Sequence, residues 1–185
     1  MLSELYEVAA GLLVMAAVCA VMIKKKYPND RVLLTAVFIL YMTGLFAVTL
    51  FPVMYDHSLM SFANTPQRCI RLVPFEFMRE AFGRTYIFYV PVQLGGNFVM
   101  TIPFGILLPM LLKDKKPLLY ILLFFLLPVF IETTQLTVGA LLGTFYRTTD
   151  VDDVILNFSG AMAGYGIYCV MSRIFRRKKQ SNNME

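Results

Sequence analysis

Carboxylate and amide side chains interrupt the apolar stretches of this 185-residue chain. Glu132 and Gln135 are three residues apart, so they share a face if their segment is helical. Asn97 and Asn157 stand near the starts of two other apolar segments. Because polar groups inside a membrane are costly, each of these four needs a partner or a purpose. We expect them to lie at a similar depth and to share a pocket.

A second group of carboxylates precedes the last apolar segment, in the sequence Arg147-Thr148-Thr149-Asp150-Val151-Asp152-Asp153. Asp150, Asp153 and Asn157 follow at i, i+3 and i+7, which places them on one stripe of a helix. Asp152 lies off that stripe, and we expect it to face a different partner.

Two interpretations of these acids remain open. In the structural one, Thr149 or Asp150 caps the helix, the acids stabilise its first turn, and Arg147 forms an ordinary ion pair. In the functional one, the acids adjoin the intramembrane polar residues in a cleft that opens to the outer leaflet. That candidate cleft comprises Asn97, Glu132, Gln135, Arg147, Asp150, Asp152, Asp153 and Asn157.

Such a cleft is compatible with several kinds of chemistry. Carboxylates and amides can hold Mg²⁺ or Ca²⁺ through oxygen ligands, so a divalent cation is compatible with the site but not required. A protonated carboxyl beside an ionised one can perform acid–base catalysis. Arg147 could bind a phosphate or carboxylate with two hydrogen bonds. The position suits a lipid headgroup or a peptide terminus better than a soluble metabolite.

The composition requires these side chains to be positioned by membrane helices. Hydrophobic residues make up 58% of the chain and charged residues 16%, and the mean hydropathy is +0.65. An average globular chain has about 45–50% apolar and about 25% charged residues. These values exclude a secreted soluble enzyme, a disordered tail and a disulfide scaffold.

Other function classes are excluded by the placement of particular residues. The chain has a net charge of +5, but its charged residues lie between the apolar runs and do not form a continuous basic face. Nucleic acid is therefore not an expected partner. Gly95-Gly96-Asn97 is too short and wrongly placed for a phosphate-binding loop, so no nucleotide is expected. With Cys19, Cys69 and Cys169 widely separated and His57 the single histidine, zinc sites and histidine-based triads are disfavoured.

Five apolar runs approach the length of about 20 residues that a bilayer span needs. The sequence therefore predicts an all-α integral membrane protein, a five-helix bundle in one domain over residues 1–185. The predicted spans are about 5–23, 32–51, 92–112, 118–138 and 154–174.

The distribution of basic residues predicts the orientation of the bundle. Of the 17 Lys and Arg residues, twelve lie in the loops and tail on one side of the predicted spans and five on the other. Because Lys and Arg favour the cytoplasm, we expect the N-terminus outside and the C-terminus in the cytoplasm.

Local patterns add two expectations. In the outer loop Pro52–Pro91, Phe75, Met78 and Phe82 follow at i, i+3 and i+7, which predicts a short interfacial helix; a loop packed over the bundle is the alternative. Close helix packing, with a kink or close crossing in the third span, is predicted at Pro103, Gly105, Gly160 and Gly164.

These blocks together resemble the VanZ-like family of bacterial membrane proteins. The resemblance covers about residues 71–166, and Leu72 departs from it where the family would have Asn. Its blocks are Arg71-Leu72-Val73-Pro74-Phe75, Asn97 with Pro103-Phe104-Gly105 and Leu108-Pro109, Ile131-Glu132-Thr133-Thr134-Gln135, and Arg147 to Asn157 followed by Gly160.

The resemblance implies a Gram-positive cell envelope and an association with resistance to teicoplanin and related lipoglycopeptides. We therefore expect a non-enzymatic protein that engages lipids, lipid-linked wall precursors or lipoglycopeptides at the outer leaflet. The alternative is a membrane enzyme that modifies a lipid headgroup or lipid-linked peptidoglycan precursor with Asp or Glu, with or without a divalent cation. A lipid translocase is disfavoured because no polar path extends below Glu132.

Overall fold

The computed structural model describes residues 2–50, 70–75, 89–113, 116–142 and 148–182. Five helices in these ranges are long and apolar enough to cross a membrane, which confirms the predicted all-α membrane fold. The predicted interfacial helix lies mostly in residues 76–88, outside the described residues. The helices are α1 (Leu2–Lys24), α2 (Asn29–Leu50), α3 (Tyr89–Leu112), α4 (Pro117–Leu142) and α5 (Val151–Asn182).

Short connections hold consecutive helices side by side. After α1, the chain reverses at Lys26, whose φ is 57°, and the Pro28 carbonyl accepts hydrogen bonds from the Arg31 and Val32 N–H groups in the first turn of α2. Helix α4 begins with Pro117, where the missing N–H would be unpaired in any case. Such short turns force neighbouring helices to run antiparallel.

The most extensive contact joins α3 and α5. A Cβ atom on Gly160 would overlap the Phe98 carbonyl oxygen, and one on Gly164 would overlap the Ile102 carbonyl oxygen. From the other side, a Cβ on Gly105 would overlap the carbonyl oxygen of Ala161. The absence of these side chains lets the two backbones touch, which is how small residues bring membrane helices together.

Aromatic side chains from three helices form the centre of the bundle. The rings of Phe104 on α3 and Phe124 on α4 lie 5.8 Å apart, and Tyr165 on α5 lies 5.8 Å from Phe124. Tyr120, one turn before Phe124, stacks on it with a centroid distance of 6.5 Å. Helices α3, α4 and α5 therefore make up the core, on which α2 packs.

Helix α1 lies at the periphery. It packs chiefly on α2, and none of the residues in its apolar window is buried. Large apolar side chains along it are exposed, and Leu13 reaches 71%. In a membrane these faces contact lipid tails.

Two short strands, each of two residues, form the one β-pairing among the described residues. Strand β1 (Ile70–Arg71) runs parallel to β2 (Thr149–Asp150), with Ile70 opposite Thr149 and Arg71 opposite Asp150. This pairing ties the segment before α3 to the start of α5, at the end of the bundle where α3 and α5 begin and α4 ends.

Candidate functional site

Asp150 forms the junction between β2 and α5. Its Oδ1 accepts a hydrogen bond of 2.9 Å from the N–H of Asp152, the arrangement of a helix N-cap. Its own N–H donates to Oε2 of Glu132 on α4 over 3.1 Å. Both side chains are buried, with 6% of Asp150 and 5% of Glu132 exposed. Glu132 therefore stabilises the backbone at which α5 begins.

Asp152 faces the chain that follows β1. Its Oδ1 accepts a hydrogen bond of 2.6 Å from the N–H of Phe75, whose φ of 63° lies in the left-handed region. A bulky residue rarely adopts this conformation, and such strained positions cluster at ligand sites. Asp152 is only 4% exposed, and its Oδ2 is buried without a hydrogen-bond partner among the described residues.

Asn97 and Asn157 link α3 to α5 just below these acids. The Asn97 amide Nδ2 donates a hydrogen bond to Oδ1 of Asp153. The Thr101 hydroxyl, one turn further along α3, donates to the Asn157 carbonyl oxygen over 2.7 Å. Asn157 is 3% exposed, and its side-chain Oδ1 has no hydrogen-bond partner within the described ranges.

Gln135 contacts a different helix from the rest of the group. Its Nε2 donates over 2.7 Å to the carbonyl oxygen of Thr49, near the end of α2. Both residues are buried, so this bond fixes α4 against α2. Although Gln135 shares a helix face with Glu132, the structure uses it to attach α2 to the central helices.

The structure thus divides the eight residues of the candidate cleft. Arg147 lies outside the described residues, and Gln135 turns toward α2. The remaining six, which we call the acidic cleft, surround the junction of β2 and α5. They are Asn97, Glu132, Asp150, Asp152, Asp153 and Asn157.

The chemistry of the acidic cleft is dominated by hydrogen-bond acceptors. Its carboxylates accept hydrogen bonds from N–H groups of the protein, such as those of Phe75 and Asp150. Asp152 Oδ2 and Asn157 Oδ1 are buried acceptors without a hydrogen-bond partner among the described residues. Among the residues that the structure describes, no group of three or more His, Cys, Asp or Glu residues is arranged to hold a metal ion. The two unpartnered acceptors favour a ligand that donates hydrogen bonds.

Three polar contacts of the candidate residues were missed by sequence reasoning. Thr101 carries little signal, because threonine hydroxyls in apolar helices routinely bond to their own helix, as Thr43 does to the Ile39 carbonyl. Thr49 contacts Gln135 through its backbone carbonyl, which every residue has. The Phe75 N–H is a backbone group, and its role depends on β1 lying beside β2. Nothing in the residue types of that segment predicts the pairing.

A model of the VanZ/LLP1 family matches residues 38–173, well over half of the chain. The chain belongs to the VanZ/LLP1 family. This membership confirms the resemblance seen in the sequence. No curated protein and no solved structure matches the chain.

The matched region of this VanZ/LLP1 protein contains the whole acidic cleft and most of the five-helix bundle. It begins within α2 and ends within α5, so α1 lies outside it. The peripheral helix and the family region are therefore distinct parts of the fold.

Proposed function

We propose that this VanZ/LLP1 protein is a non-catalytic binding protein of the bacterial cell envelope, which lowers susceptibility to teicoplanin-type lipoglycopeptides. In this proposal the acidic cleft faces the outer leaflet, with the N-terminus outside and the C-terminus cytoplasmic, as the distribution of Lys and Arg favours. The cleft engages a lipid-linked wall precursor or the antibiotic itself and so reduces the access of the drug to its target.

The observation that carries the proposal is the pair of unsatisfied acceptors, Asp152 Oδ2 and Asn157 Oδ1. Leaving a buried polar atom without a partner costs about 1–3 kcal/mol, and more for a charged group. A ligand with amide, hydroxyl or ammonium donors recovers that cost on binding. Peptide and sugar headgroups of wall precursors and glycopeptides are rich in such donors.

Apolar side chains beside Asp152 support an amphiphilic ligand. Leu72, Val73 and Phe75 are 72%, 58% and 58% exposed, and the N–H of Phe75 bonds to the buried carboxylate of Asp152. Exposed apolar groups next to a polar pocket are typical of a surface that contacts lipid or an apolar partner. A headgroup in the cleft would leave its acyl chain against these residues.

The test is the variant Asp152→Asn. The asparagine Oδ1 can still accept the hydrogen bond from the Phe75 N–H, while Nδ2 replaces the unsatisfied acceptor by a donor. Wild type and variant are expressed at matched membrane levels in a null strain, and the inhibitory concentrations of teicoplanin and vancomycin are measured. Glu7→Gln on the peripheral helix α1 is the matched control, because it makes the same kind of change at another buried carboxylate oxygen that is unpartnered within the described ranges, and Glu7 is not one of the six residues of the acidic cleft.

We expect wild type and Glu7→Gln to protect against teicoplanin and Asp152→Asn to lose that protection, with binding of teicoplanin or of a lipid-linked disaccharide-peptide weakened about tenfold in nanodiscs. Full protection by Asp152→Asn would contradict the role of the cleft. If the wild-type protein protects against neither drug, its proposed role in resistance is refuted. If mass spectra show a new lipid or muropeptide species whose formation depends on Asp152, the protein is an enzyme and not a binding protein.

A further inference from the structure

A cavity lies at the opposite end of the bundle from the acidic cleft. Its volume is about 560 Å³, and it opens between the start of α2, the end of α3 and the last turns of α5. The cavity combines charged residues with apolar ones, and the proposed function makes no use of it.

Three basic residues from three separate parts of the chain line this cavity. They are Arg31 in the first turns of α2, Lys113 directly after α3 and Arg176 on α5. Among the lining residues that the structure describes, Asp30 is the one acid, so these residues together carry a net positive charge. Asp30 offsets one of the three cations, and the repulsion that remains costs electrostatic energy unless a further anion joins them.

The position of Arg31 is fixed by the protein. Its Nη1 donates a hydrogen bond of 2.8 Å to the carbonyl oxygen of Leu111, in the last turn of α3. This bond uses one of the five N–H donors of a guanidinium group. The C-terminal end of α3 carries a partial negative charge, which explains in part why Arg31 and Lys113 lie beside it. That charge does not explain why Arg176 on α5 lies at the same place.

Apolar and aromatic side chains also form part of the cavity wall. Tyr168 and Phe175 on α5 line it together with Leu34 and Met110, and Phe175 is 65% exposed. A site that combines cations with apolar side chains matches a phospholipid, whose phosphate and upper acyl chains make those two kinds of contact. Basic pockets between membrane helices bind lipid phosphate groups in this way.

We propose that this cavity binds the phosphate group of an anionic ligand through Arg31, Lys113 and Arg176. The apolar walls favour an anionic phospholipid as the source of that phosphate over free inorganic phosphate. The proposal is independent of the function of the acidic cleft, because the two sites lie at opposite ends of the helices.

The test compares two double variants of the full-length protein. Lys113→Gln with Arg176→Gln removes two cations from the cavity, whereas Arg173→Gln with Arg177→Gln removes two exposed cations from α5 that do not line it. Each purified protein is titrated with phosphatidylglycerol, phosphatidylcholine and inorganic phosphate, and bound ligand is counted by native mass spectrometry. Thermal unfolding in detergent checks that each variant is folded.

We expect wild type to retain phosphatidylglycerol over phosphatidylcholine, and the cavity variant to bind it roughly tenfold more weakly than the control variant does. Inorganic phosphate that binds and competes at the same residues would also support the phosphate site and would identify the free ion as its source. Equal losses in the two double variants, or no preference for anionic lipid and no phosphate binding in wild type, would overturn the proposal.

A third variant gives a result that misfolding cannot imitate. Asp30→Asn removes a negative charge from the cavity lining, so it should strengthen phosphatidylglycerol binding by about two- to fivefold. Unchanged or weaker binding by a folded Asp30→Asn protein would contradict an anion site at this position.

Discussion

The carboxylate of Glu132 on α4 accepts a hydrogen bond from the backbone N–H of Asp150, the residue at which β2 meets α5. The two atoms are 3.1 Å apart and both residues are buried. A side chain of one membrane helix thus holds the start of another. Because Asp150 also pairs with Arg71 in the short parallel sheet, Glu132 connects α4, α5 and the segment before α3.

The stability of the protein should therefore depend more on the hydrogen-bond acceptor of Glu132 than on its charge. Glu132→Gln keeps an Oε atom that can accept from Asp150, whereas Glu132→Ala leaves a buried N–H without its partner. We expect Glu132→Ala to lower the free energy of unfolding by about 1–3 kcal/mol and Glu132→Gln by less. Denaturation of purified protein in mixed micelles measures both; equal losses would show that the negative charge itself is required.

The glycines at the contact of α3 and α5 provide a second prediction. Gly160→Ala places a Cβ against the Phe98 carbonyl and the Thr101 hydroxyl, so the helices must separate, at a cost of about 1–3 kcal/mol. Gly166→Ala on the same helix is the control, because a Cβ there meets nothing within 4 Å. Thermal unfolding in detergent should show a lower midpoint for Gly160→Ala alone. Equal midpoints would mean that the contact is looser than the structure shows.

Thr101 supplies a third prediction, about hydrogen bonding between helices. It is 1% exposed and donates to the Asn157 carbonyl oxygen, so Thr101→Val should cost about 0.6–1.7 kcal/mol. Thr133→Val is the comparison, since its hydroxyl bonds within α4 and faces outward. We expect Thr133→Val to leave stability nearly unchanged in the same denaturation experiment. A loss as large as that of Thr101→Val would indicate a general effect of removing hydroxyls.

Much of the candidate site could be found from the sequence because membranes penalise polar groups. That cost alone singles out Glu132, Asn97 and Asn157, and the structure places all three around the start of α5. Spacing on a helix also separates Asp152 from the stripe of Asp150 and Asp153. In the structure, Asp152 accepts a hydrogen bond from Phe75 in the segment before α3.

The partners of these residues could not be found in the same way. Gln135 lies on the face of α4 that carries Glu132, yet it bonds to Thr49 on α2. A helix that is apolar on all sides does not indicate which face meets which neighbour. The rotation of each helix is set by close contacts such as that of Gly160 with Phe98, which involve residues far apart in the sequence.

The amino-acid sequence by itself determined the five apolar helices, the family and the end of the bundle at which the acids gather. These features are encoded in local stretches of the sequence. In particular, a bilayer forces each apolar run of sufficient length to satisfy its own backbone hydrogen bonds by forming a helix. Only the tertiary structure decided that Asn97 meets Asp153, that β1 lies beside β2, and that Arg31, Lys113 and Arg176 line one cavity. Such pairings depend on the mutual rotation and contact of helices, which no single segment encodes.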